Sequence, residues 1–159
     1  MLELDDGTQL VQTSAILNYL GATHNLRPVE PIKIYHGEMA TEYMWNDFFS
    51  KNVPTAIFAK EDREAKMADL TEKAFPAFLT NFDKILGADK YIVGDSLTIY
   101  DCQLGGFFTN LVCNPNSKDP EAWAAAYEKN ASERVKKYVE DFKAEMKPYL
   151  DGRCQTSTL

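Results

Sequence analysis

The sequence predicts a mainly α-helical protein, a bundle of about five or six helices entered through a β-hairpin and one short helix. Three observations carry this. From Ile32 onward, apolar residues recur at spacings of three and four, the repeat of amphipathic helices. Residues 99 to about 112 carry almost no charge after Asp101, so that segment should be buried on nearly every side and form the centre of the core. Residues 1–11 instead alternate apolar and polar on either side of Asp6-Gly7, the pattern of two short strands joined by a tight turn.

Composition narrows the class. The 159 residues are 45% hydrophobic, enough for a real core in a chain of single-domain size. Twenty-four acids against 17 bases give a net charge of -7, spread along the chain with no basic stripe, which argues against nucleic acid as a partner. Cys102, Cys113 and Cys154 are odd in number and form no C-x-x-C pair, as expected of a reduced, cytoplasmic protein. His24 and His36 have no partners at ligand spacing, so no metal is expected. No cationic and apolar leader opens the chain and no apolar run is long enough to span a bilayer, so neither secretion nor a membrane is expected.

The hairpin of residues 1–11 is marginal alone, because a two-stranded ribbon leaves its edges open; another element should cover or extend it. Helical spacing starts at Gln12, with Ile16, Leu17 and Leu20 as the apolar face and Gly21 or Asn25 as places to stop. After a linker from Pro28 to Pro31, Ile32, Tyr35, Met39 and Tyr43 form one stripe and Met44, Trp45, Phe48 and Phe49 a second, so this long helix should be contacted on two sides. Pro54 is expected to end or kink it near Val53. The next helix opens on Glu61, Asp62 and Glu64, acids suited to a helix N-terminus, and aligns Met67, Leu70, Ala74, Phe78, Phe82 and Ile85. Pro76 should bend that helix without breaking it, and Gly87 should stop it.

A brief extended link at residues 91–93 precedes Asp95-Ser96-Leu97-Thr98-Ile99-Tyr100-Asp101. Thr98 with an acid three residues on is a variant capping box, and Leu97 and Cys102 stand where a hydrophobic staple has its two members. Thr98 and Asp101 are therefore assigned the structural task of starting the core helix. Gly105-Gly106 within it costs roughly 1 kcal/mol per glycine in helix propensity, explained if neighbouring helices approach closely there. A turn-rich loop at 114–120, a short helix at 121–129 around Trp123 and Tyr127, and a last helix at 132–149 buried along Val135, Tyr138, Val139, Phe142 and Met146 complete the bundle. The tail, 151–159, has no periodicity and is expected to be mobile.

The run Leu10-Val11-Gln12-Thr13-Ser14-Ala15-Ile16-Leu17-Asn18-Tyr19-Leu20 resembles the glutathione-binding end of the cytosolic glutathione transferases, particularly the alpha, mu, pi and sigma type. The similarity continues through Phe75-Pro76-Ala77-Phe78, the run from Gly94 to Asp101, and Val135-Lys136-Lys137-Tyr138, and so covers nearly the whole chain. It implies the family's all-helical C-terminal domain at residues 27–159, preceded at 1–26 by part of a thioredoxin-like domain. It implies that Gln12 and Thr13 hold the γ-glutamyl end of glutathione, because a carboxylate at a helix N-terminus meets free amides and a favourable dipole. By periodicity alone, Thr13 reads as a helix cap. Asp47 and Lys73 align with residues that in alpha-type enzymes reach glutathione held mainly by the partner subunit, although Asp47 also reads as a solvated acid. Tyr35, Met39 and Tyr43 lie on the helix beside the family's electrophile pocket and read also as ordinary core.

Members of this family carry a β-α-β unit, roughly 30 or more residues, ahead of the hairpin. That unit supplies the Tyr, Ser or Cys that engages the sulfur and a cis-proline that pairs with the glutathione backbone. Neither can be placed on this sequence, where no tyrosine precedes Tyr19. The resemblance therefore implies an N-terminally truncated transferase with no catalytic residue assigned, glutathione as co-substrate and no cofactor. It further implies a small hydrophobic electrophile, a homodimer, and weak or absent conjugation. A non-catalytic dimerisation or docking module, as in elongation-factor or lens proteins of the same architecture, is the function of another class that the sequence allows.

Overall fold

Asp6 and Gly7 turn the chain as their types require. The Asp6 carboxylate accepts the Thr8 amide at 2.9 Å, and Gly7 takes a φ of 84°, open to a residue without Cβ. The turn pairs β1 (Leu2–Glu3) with β2 (Gln9–Leu10), antiparallel, Leu2 opposite Leu10. The computed structural model describes residues 1–153, and everything after this hairpin is helical apart from its connections. Helix α1 (Thr13–Thr23) follows and ends at His24, with Asn25 in the left-handed region at φ 58°.

Three long rods form next, each with a wider π-helical turn in it. Pro31 opens α2 (Pro31–Glu42), where its missing N–H costs no bond. The backbone stays right-handed helical through the π turn Tyr43–Phe49 into α3 (Ser50–Ile57). Of the two outcomes expected at Pro54, an end or a kink, the end does not occur, and the helix continues to Ile57. Ser50, whose carbonyl the ring would crowd, is the first residue after the π turn, where the hydrogen-bond ladder changes pitch. The second rod joins α4 (Arg63–Asp69) through the π turn Leu70–Ala74 to α5 (Phe75–Leu86), with Pro76 the second residue of α5. The third runs from α6 (Ile99–Phe107) into the π turn Phe108–Val112.

The remaining helices are α7 (Pro120–Asn130), α8 (Glu133–Glu145) and α9 (Lys147–Gly152). The single helix expected over 132–149 is thus two. Ser132 caps α8 by accepting the Val135 amide at 3.1 Å, and Pro148, which has no N–H, stands where the ladder stops at Met146 and restarts. The link at 91–93 closes on itself, with the Tyr91 amide donating to the Gly94 carbonyl at 2.8 Å. Of the tail, Asp151 and Gly152 belong to α9, and 154–159 lie outside the described residues.

The core forms around α6. Asp101 is fully buried: one carboxylate oxygen accepts from the Thr98 amide at 2.9 Å and the Thr98 hydroxyl at 2.7 Å, the other from the Ile92 amide at 3.0 Å and the Tyr138 hydroxyl at 3.3 Å. One acid therefore starts the central helix, fixes the link before it and holds α8. Gly105 admits α8, since a Cβ there would lie 2.4 Å from the Phe142 ring, whereas a Cβ on Gly106 would meet nothing nearer than 3.8 Å. The close approach read from the glycine pair is made at the first alone. Phe78 stacks on Phe48 at 4.5 Å and Phe82 at 5.6 Å, with Phe107 edge-on at 5.7 Å, so three rods share one aromatic cluster. Helix α1 leans on this core through Leu17 and through Gly21, where a Cβ would come within 3.1 Å of Ile99.

Candidate functional site

Gln12 turns the chain from β2 into α1 with a φ of 74°, a region residues with side chains rarely adopt. Its carbonyl accepts the Ile16 amide at 3.0 Å, so the helix begins at Thr13 and the amides of Thr13, Ser14 and Ala15 have no acceptor within it. Among the described residues, no side chain caps them. The N-cap position is held by Gln12, so the reading of Thr13 as a helix cap does not hold. Thr13 is exposed on the first turn, and its hydroxyl, the free amides and the positive end of an 11-residue helix together suit a carboxylate. The unusual φ at Gln12 is an observed outlier of the kind that gathers at binding sites, and no residue type in the sequence announces it.

The other candidates lie apart from this corner within the chain. Asp47, on the π turn after α2, is exposed and pairs with Lys51 at 2.8 Å. Lys73, on the π turn before α5, is exposed and pairs with Asp69 at 2.6 Å, a hydrogen bond that raises its pKa. Each is bonded on its own helix. Tyr35 and Met39 face solvent, 60% and 38% exposed, so they are not core. Tyr43 is half-buried, its ring stacked on Phe78 at 5.6 Å and its hydroxyl accepting from Asn81 at 3.0 Å. The three share a stripe of the α2 rod without closing a pocket.

An apolar groove of about 230 Å³ lies instead between α1, the 43–49 turn and α6, lined by Leu17, Trp45, Phe49, Cys102 and Phe107. Its only sequence signal is Trp45 and Phe49 at a spacing of four. Burial pushes the Cys102 and Cys113 thiols up, so both stay protonated near neutral pH and are poor nucleophiles. Among the described residues, no three His, Cys, Asp or Glu side chains are grouped to hold a metal, and no helix is long and apolar enough to cross a membrane.

Comparison with known proteins agrees with this architecture. Residues 46–153 match the family model of the glutathione S-transferase C-terminal domain. The chain is 33% identical over 115 residues to glutathione S-transferase alpha M14 of Sus scrofa, covering 65% of this chain and 47% of that protein. It is also 33% identical over 128 residues to glutathione S-transferase alpha I of Oryctolagus cuniculus, covering 79% and 54%. It thus spans about half the length of these curated relatives. The fold is like that of the glutathione S-transferase Blo t 8, with a TM-score of 0.76 at 19% identity over 96% of this chain and 67% of that one. The pi-class glutathione S-transferase of Onchocerca volvulus gives 0.72 at 21% identity over 93% and 68%. The chain belongs to the cytosolic glutathione S-transferase family.

Proposed function

We propose that the chain binds glutathione at the β2–α1 corner and takes part in the family's reaction, joining the glutathione sulfur to a small hydrophobic electrophile. The uncapped first turn of α1 carries this reading. The γ-glutamyl carboxylate accepts from the Thr13 hydroxyl and the free amides, and the Gln12 side chain lies beside them. In the transfer, the thiolate attacks the electrophile, a carbon–sulfur bond forms, the leaving group departs and the thiol proton passes to solvent. That step needs a donor that lowers the thiol pKa, and no residue at the corner is assigned that part; Tyr19 lies further along α1. Acting alone, the chain therefore conjugates slowly, by about 10² to 10³ relative to a site with such a donor.

The same reading divides the chain into a glutathione-carrying part, 1–26, and a helical domain, 27–159, and places the protein in the cytoplasm. Tyr35, Met39 and Tyr43 present one stripe of the α2 rod to the apolar electrophile. Asp47 and Lys73 serve glutathione across a homodimer, the carboxylate toward its ammonium and the ammonium toward its carboxylate. Their present partners do not oppose this, because exposed pairs four residues apart are screened by solvent and exchange readily.

Retention of the purified chain on immobilised glutathione, with an assay of conjugation to an activated aryl halide, tests the proposal. Retention with slow turnover is expected, and Thr13→Ala should weaken glutathione binding about tenfold, the worth of a hydrogen bond to a charged group. Retention without turnover would favour a docking module. A chain that flows through has no glutathione site.

A further inference from the structure

The first turn of α1 is tied to another helix by a continuous line of polar contacts. Glu38 on α2 pairs with the Arg27 guanidinium at 3.5 Å, Arg27 Nε donates to Asn18 Oδ1 at 2.9 Å, and Asn18 Nδ2 donates to the Ser14 carbonyl at 3.0 Å. Arg27 is well placed to anchor this line. Its side chain is 31% exposed, partly withdrawn from the screening that weakens surface charges. Its own amide donates to the Gly21 carbonyl at 3.0 Å, and the neighbouring Leu26 carbonyl accepts the Ile99 amide at 2.8 Å, so the backbone here is pinned where α1 meets α6.

The far end of the line reaches the corner electronically as well as sterically. The Ser14 carbonyl and the Ala15 N–H are two ends of one peptide group, and that N–H is one of the three amides free at the helix start. A cation donating to Asn18 Oδ1 makes the Asn18 amide a stronger donor. That donor draws charge onto the Ser14 oxygen, and the Ala15 N–H is polarised in turn, as in any hydrogen-bonded chain.

We propose that Arg27 is a positioning residue for glutathione, acting through Asn18 on the Ser14–Ala15 peptide, with Glu38 holding the guanidinium in place. This rests on the glutathione reading of the corner. It also gives the corner a fixed relation to α2, the helix whose outer face carries Tyr35 and Met39.

The test is calorimetric titration of the full chain with reduced glutathione, alongside thermal melting, for wild type, Arg27→Ala, Arg27→Lys, Asn18→Ala and the double alanine variant. Arg27→Ala and Asn18→Ala should each weaken binding about fivefold, the scale of one hydrogen bond. The double variant should be no worse than either single one, because both act along one line. Arg27→Lys should recover part of the loss, and the melting temperature should move little. Unchanged affinity in both single variants, losses that multiply in the double, or losses that follow the melting temperature alone would overturn the proposal while leaving the corner reading intact. A wild-type chain that binds no glutathione removes the corner reading and this inference with it.

Discussion

At the scale of single residues, one acid does the most. Asp101→Ala would leave the Thr98 amide, the Ile92 amide and the Tyr138 hydroxyl without their buried acceptor, and should cost about 4 kcal/mol in urea unfolding. The carboxyl is also lifted above the usual carboxylate range, because burial outweighs the four bonds that pull it down. The folded chain therefore keeps this proton to higher pH than the unfolded chain. Its contribution is fullest below the unfolded pKa and is lost as pH rises through the folded one. Compared with Asp101→Asn, which cannot ionise, wild type should gain stability as pH falls through the raised folded pKa toward the ordinary aspartate value. Urea midpoints of both proteins across that range check the sign; a gap moving the other way would mean that the bonds outweigh burial. The Thr98–Asp101 pairing was legible because a three-residue spacing is local. The Ile92 and Tyr138 bonds were not, since they depend on how the preceding link and α8 pack. Gln12 shows the same divide: its place in the motif could be read, but its positive φ could not.

At the scale of elements, the two adjacent glycines of α6 give a paired prediction. Gly105→Ala would drive a methyl to 2.4 Å from the Phe142 ring and should destabilise by about 2 kcal/mol through overpacking. Gly106→Ala has room, and should be neutral or stabilising by up to about 1 kcal/mol through helix propensity. Thermal melts of the two variants separate them. The periodicity of Ile32, Tyr35, Met39 and Tyr43 located the α2 rod, since apolar spacing follows the helix repeat. It does not distinguish an outward apolar stripe from a core one, and the exposure of Tyr35 and Met39 decides for the outward one. Pro54 fails to end its rod for a related reason. The rule for Pro54 supposes a uniform α ladder, and the π turn ending at Phe49 changes that ladder one residue before Ser50.

At the scale of the whole molecule, the bundle was legible because its aromatic cluster and a central helix without charge after Asp101 are written in composition and period. The groove between α1, the 43–49 turn and α6 was not, because it is made by three segments distant in sequence. The proposed homodimer is checked by light scattering, which should return twice the mass of the 159-residue chain. Glutathione binding at the β2–α1 corner is tested most directly by an amide-resolved NMR titration with reduced glutathione. The largest shifts should fall on the amides of Thr13, Ser14 and Ala15. Shifts confined to residues lining the apolar groove, or no shifts at all, would contradict it.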